Sequence, residues 1–296
     1  MSSVLFDLPG PRARARHRLL AVVGVVVIAA IIGFVIYRFA VTGQFASRMW
    51  EWLLYEKVQL DLVSSLLATL QAFALGAVLA LVFGAVFAAG RLSDHAVLRV
   101  PSTAIVEFFR AVPLVVMIFI FHYGIGLGAP FNSVVLGLML YNGAVLAEIF
   151  RSGVESLPRG QREAAYALGM RKTQVMLLVL LPQAVRAMLP TIVSQLVVLL
   201  KDTALGFLIT YPELLYYARY LGGIAEFGRP LVPVTMVVAA MYIVMCLLLT
   251  WLAHYLERRN RRSKKAVPTA PTALGEDGDV AVTAVAGTGQ LTSQQY

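Results

Sequence analysis

Six stretches of this chain are apolar for long enough to cross a lipid bilayer, and that restricts its folds more than any other feature. They fall at about residues 19–37, 62–89, 101–127, 133–150, 187–209 and 231–252. Crossing about 30 Å of hydrocarbon takes roughly 20 residues of α-helix, the one local structure that closes its backbone hydrogen bonds within a single segment. Composition points the same way. Of 296 residues, 59% are hydrophobic and only 14% charged, whereas a soluble domain carries about 25% charged residues to wet its surface. The expected fold is therefore all-α: a polytopic helical membrane protein with six transmembrane helices and lipid as its main solvent.

The net charge of +9 does not mark a nucleic-acid partner. Basic residues gather in short segments beside the apolar runs, as membrane orientation requires. With the N-terminus inside, segments 1–18, 91–100, 151–186 and 253–296 hold most of the Lys and Arg, while the other side keeps Arg48, Lys57, Arg219 and Arg229, with Lys201 at its edge. The expected placement is a plasma membrane protein with both termini cytoplasmic. The first run is longer than a signal-peptide core and is followed by Tyr37, Arg38 and Phe39 rather than a small-residue cleavage site, so it reads as a retained span. Trp50, Trp52 and Tyr55 suggest an interfacial belt. The run at 62–89 is rich in Gly and Ala, which lets helices approach closely in lipid. The segment 211–230 reads as a polar, Gly-rich connection. Beyond 266 the tail has too few large apolar residues to offset ordering, and disorder is expected.

Residues 151–186 form the longest charged interior segment. Pro158 to Gly160 reads as a turn. A short helix then carries Glu163, Ala164 and Ala165, with Glu163 expected in its first turn, where the helix dipole favours it. Gly169 suits the helix end. The alanines leave a thin rod able to enter a partner's groove. A solvated loop with two amphipathic helices is the alternative that physics leaves open.

The spacing of this segment resembles a known pattern. Glu163-Ala164-Ala165, three residues, Gly169, nine residues, then Val179-Leu180-Leu181-Pro182 is similar to the E-A-A, x3, G, x9, I-x-L-P loop of ABC importer permeases, with Val179 for the usual Ile. Further segments resemble the polar amino acid uptake branch of those permeases. They include Leu67-Ala68-Thr69-Leu70, Arg91-Leu92-Ser93, and Glu107 to Leu114 with Ala111 where the family has Gly. Ala147-Glu148 to Gly153 and Lys201-Asp202-Thr203-Ala204-Leu205 complete the set. The opening Val4 to Pro11 looks like actinobacterial glutamate permeases.

The resemblance implies a type I importer core of five helices within 59–256. Around it lie a basic N-terminus (1–18), an extra first helix with an external segment (19–58), and a basic stop with a tail (257–296). It further implies ATP-driven import of a polar amino acid, glutamate favoured, by alternating access. Gly160, Glu163, Ala164, Ala165, Gly169 and Pro182 would couple the chain to a separate ABC ATPase dimer. The other partners implied are a second permease subunit (a sister chain or a second copy) and an extracytoplasmic solute-binding protein. The chain has no phosphate-loop motif of its own, so ATP hydrolysis must lie elsewhere.

Ionisable and amide groups within apolar runs are costly and tend to pair or line pathways. Thr69, Glu107, Arg110, Asn142, Glu148, Lys201 and Asp202 are therefore candidates for the translocation pathway or for structural polar pairs. Glu107 with Arg110, and Glu148 with Arg151, have the three-residue spacing of neighbours on one helix turn. Lys201 and Asp202 are adjacent and should have different partners. Two other classes were weighed. An ion-driven secondary amino acid transporter would usually show paired repeats with broken helices, which the sequence lacks. A membrane enzyme would need a nucleophile–base pair or a metal constellation, and the four histidines are widely dispersed. No catalytic residue, metal ligand or cofactor is expected.

Overall fold

The computed structural model describes residues 10–262. The segments 1–9 and 263–296, with the N-terminal glutamate-permease likeness and the expected disordered tail, lie outside the described residues. The described residues are helical or in turns, with no strand among them. Their elements are α1 (Pro11–Val41), α2 (Glu56–Arg91), α3 (Ala96–Ala111), α4 (Leu114–Phe119), α5 (Pro130–Glu155), α6 (Arg159–Ala167), α7 (Lys172–Gln174), α8 (Leu181–Asp202), α9 (Leu214–Gly222) and α10 (Leu231–Arg262).

Five helices are long and apolar enough to cross a membrane, and a bent pair makes a sixth crossing if it counts as one span. The bent pair falls on the third apolar run. Ala96–Ala111 and Leu114–Gly124 meet at 95°. Pro113 explains the break: it has no N–H to donate, and it pushes Val112 into extended backbone (ψ 125°). The fifth apolar run is the later part of a longer helix. A continuous helical run extends from Lys172 to Ile209, passing through a wide π-turn at Val175–Leu180. That turn precedes Pro182, whose ring cannot sit against the carbonyl four residues back in a regular α-helix.

The core forms where α2 lies against α5. Small residues set the distance. A Cβ placed on Gly84 would stand 2.8 Å from the Leu146 Cβ, and one placed on Gly143 would stand 2.8 Å from the Phe83 ring. Lipid is as apolar as leucine, so close packing rather than hydrophobicity drives this contact. Leu114, Ile118, Leu138 and Leu199 fill the space around it. By contrast, none of the most apolar window of α1 is buried within the chain.

The segment 211–230 is not the loose polar connection expected. Its helix α9 buries Leu214, Tyr217, Ala218 and Leu221 against Val58, Leu62, Val234 and Val238. Trp52, expected at the lipid interface, is wholly buried in the same cluster, with its indole N–H donating to the Met49 carbonyl at 2.9 Å.

Candidate coupling loop and intramembrane polar groups

The helix α6 starts directly after Pro158, which has the extended conformation of an N-cap residue. Its first turn is therefore Arg159-Gly160-Gln161-Arg162 and contains no acidic residue. The expectation that Glu163 lies in the first turn is corrected: it stands one residue further along. The end of the helix matches a Schellman motif. The Met170 N–H bonds the Ala165 carbonyl at 3.3 Å and the Gly169 N–H bonds the Tyr166 carbonyl at 2.9 Å. Gly169 has φ +75°, and nothing lies within 4 Å of where its Cβ would be. Glycine is needed there for the left-handed backbone, not for space.

The two alanines of the motif face opposite ways. Ala165 is 4% exposed and packs on Val175, Leu180 and Met170. Glu163 and Ala164 are exposed, as are Gly160, Gly169 and Pro182. Beside them Tyr166 and Leu168 also face outward, and Leu168 is 82% exposed. Sequence reasoning did not single out Leu168. Lys172 pairs with Asp94 of the α2–α3 turn. The ammonium beside it holds the Asp94 carboxyl below the usual carboxylate range.

At the same end of the bundle the two expected ion pairs merge into one network. Glu107 and Arg110 meet at 3.3 Å and Glu148 and Arg151 at 2.6 Å. Arg91 joins them, 2.7 Å from Glu148 and 3.2 Å from Glu107, with its side chain only 7% exposed. Sequence reasoning used Arg91 as an orientation signal and as part of the Arg91-Leu92-Ser93 likeness, without a partner. It is the hub that ties α2 to α3 and α5. A buried arginine with two carboxylates is held firmly, since removing one partner leaves an uncompensated charge.

Asn142 and Asp202 come together midway along α5 and at the end of α8. The Asn142 amide N–H donates to Asp202 at 3.2 Å, and its carbonyl accepts from Gln195 at 2.7 Å. Asn142 is fully buried. Gln195 was overlooked, although it precedes Asp202 by seven residues and so shares its helix face. Lys201 is exposed while Asp202 turns inward, as expected for neighbours with different surroundings. Thr69, also fully buried, accepts from the Leu214 N–H at 3.2 Å and donates to the Ser65 carbonyl at 2.9 Å.

A further buried carboxylate, Glu213, had no place in the sequence reading. It caps α9, accepting from the Leu215 and Tyr216 N–H groups at 2.8 and 2.7 Å, and Tyr242 of α10 donates to it at 2.9 Å. Thr69 and Glu213 thus fasten the start of α9 to α2 and α10. Among the described residues no group of His, Cys, Asp and Glu could hold a metal ion.

Comparison with known proteins follows the same lines. Residues 80–262 match the family described as binding-protein-dependent transport system inner membrane component. The chain is 43% identical over 212 residues to the glutamate transport system permease protein GluD of Corynebacterium glutamicum, covering 69% of this chain and 76% of that protein. It is 33% identical over 211 residues to the glutamate/aspartate import permease protein GltK of Escherichia coli, covering 67% and 92% of the two chains. Among solved structures, an amino acid ABC transporter crystallised with histidines superposes with a TM-score of 0.62 at 28% identity. That match covers 69% of this chain and 95% of the other. The methionine ABC transporter MetNI superposes at 0.60 with 20% identity, which speaks for the fold.

Proposed function

The chain belongs to the family of binding-protein-dependent transport system inner membrane components, and from that premise we propose that it carries a polar amino acid, glutamate foremost, through the membrane as the permease of an ATP-driven importer. The relatives it matches are permease proteins by name. It is thus a transport subunit, and ATP hydrolysis belongs to a separate chain. Glutamate is favoured because it is named for both GluD and GltK.

The observation that carries the reading is α6. It is a short helix with a fixed end, anchored by one buried alanine and otherwise bare, displaying Glu163, Ala164, Tyr166 and Leu168. In this reading α6 sits in a groove of the ATPase, on the cytoplasmic side, with both chain termini on that side too. The Arg91 network braces α2, α3 and α5 directly above it, so that movement of α6 and α7 reaches the bundle through Lys172 and Asp94. Two permease subunits frame the pathway, and a solute-binding protein delivers substrate from outside. Thr69 and Asn142 serve as interhelical clamps, Thr69 by accepting from the Leu214 N–H of α9 and Asn142 by bonding Gln195 and Asp202 of α8. Lys201, which is exposed, is the charge that faces the pathway, while Asp202 belongs to the Asn142 clamp.

Uptake of radiolabelled glutamate into proteoliposomes tests this. With the chain, its ATPase and its binding protein present, uptake requires hydrolysable ATP and stops with a hydrolysis-dead ATPase. Uptake by the chain alone, driven by a proton or sodium gradient, would overturn the proposal in favour of a secondary transporter.

A further inference from the structure

Beside the coupling loop lies a two-chambered cavity that transport as described does not use. The first chamber, about 560 Å³, is apolar, with Ala88, Leu92, Phe150, Met176 and Met188 among its walls. It is within the size range of small-molecule sites, roughly 300–1,000 Å³. The second, about 230 Å³, shares Leu92, Asp94, Lys172 and Met176 with the first and adds Arg91, Arg99 and Arg162. We propose that the pair of chambers binds one anionic phospholipid from the leaflet on the coupling-loop side, with acyl chain in the apolar chamber and phosphate among the cations.

Three observations support the assignment. Four cationic side chains line the second chamber. With Arg91 paired to Glu107 and Glu148 and Lys172 to Asp94, Arg99 and Arg162 remain without an ion pair among the described residues, which favours an anionic headgroup over a zwitterionic one. Their bonding capacity is not used up. Arg162 forms no ion pair among the described residues, and Nε of the 7% exposed Arg91 has no hydrogen-bond partner. Finally, the outer walls of the apolar chamber, Leu177, Leu181 and Val185, are themselves exposed, so an acyl chain can enter sideways from the bilayer. A soluble anion would leave that chamber to water, which apolar walls disfavour.

The location gives the lipid a role. Asp94 belongs to the turn between α2 and α3, and Lys172 to the segment that follows α6. Their ion pair crosses the boundary of the two chambers. A phosphate there competes with Asp94 for Lys172, so lipid composition sets how tightly the coupling loop is tied to α2. This regulatory role rests on the proposed coupling function; the binding itself does not.

Native mass spectrometry of the transporter, purified in mild detergent from membranes containing phosphatidylglycerol and phosphatidylcholine, tests the site. The wild-type complex is expected to retain phosphatidylglycerol selectively. Arg99→Gln and Arg162→Gln should each weaken that retention about fivefold, and Ala89→Trp, which fills the apolar chamber without removing a charge, should abolish it. Equal retention of phosphatidylcholine, or unchanged retention in all three variants, would overturn the proposal. Displacement of bound phosphatidylglycerol by soluble glycerol phosphate would also overturn it, by showing a site for small anions. Labelling of Ser93→Cys by an impermeant thiol reagent from outside the cell would refute the cytoplasmic placement and leave lipid retention untouched, so the two readings fail separately.

Discussion

The helices α5 and α6 are three residues apart in the chain and are held in opposite ways. More than half of the most apolar window of α5 is buried by the chain itself. Its glycine and asparagine fit against α2 and α8, and its Glu148 answers Arg91. By contrast α6 buries Ala165 alone. What fixes α6 internally is its two ends, Pro158 and Gly169, and its outer face is bare among the described residues. One helix is specified by its own fold; the other, on the proposed function, meets a partner. Substitutions in α5 should therefore remove stability and transport together, whereas substitutions in α6 should remove transport alone.

Arg91→Gln should have the largest effect. It removes the buried guanidinium and its two charge-assisted contacts, leaving Glu107 and Glu148 to the more exposed Arg110 and Arg151, at a cost of about 3 kcal/mol. A thermal-shift assay on purified protein should show a marked fall together with loss of uptake; full stability would mean that the network does not brace α5. Gly143→Leu comes next. Its side chain has nowhere to go but into the Phe83 ring and the α2 backbone, and overpacking of this kind costs about 1–3 kcal/mol. Fluorescence-detected size-exclusion chromatography should show reduced folded yield.

Gly169→Ala sharpens the contrast. The left-handed backbone costs alanine about 1 kcal/mol, enough to fray the end of α6 while the bundle stays intact. ATP hydrolysis should continue with glutamate uptake several-fold lower; normal uptake would show that the helix end carries no force. The smallest effect is expected from Gly33→Leu in α1, where nothing lies within 4 Å of the added Cβ. Its stability should change by less than about 0.5 kcal/mol, and a large drop would show that α1 packs against another subunit.

Much of this was legible in the sequence for a physical reason. Lipid imposes helices about 20 residues long, and the E-A-A spacing with Gly169 encodes one turn geometry that only glycine holds easily. What was missed depends on contacts between distant segments. Arg91 ended a span and read as a topology signal, because its partners on α3 and α5 are far away in sequence. Glu213 and Tyr242 lie in or after a segment that looked like a loop, and only folding brings the Tyr242 hydroxyl to the α9 cap. Pro113 sits within the third apolar run, yet a 95° bend cannot be read from one residue. The exposure of Leu168 was hidden for the opposite reason: an apolar residue in a short helix is expected to point inward.

The most direct measurement replaces that residue. In a Cys246→Ser background, Leu168→Cys is treated with a bifunctional thiol crosslinker in intact cells that express the ATPase. The account predicts a crosslink to the ATPase and no labelling by an impermeant reagent applied from outside. Labelling from outside, or no crosslink to the ATPase in a complex that still transports, would contradict it.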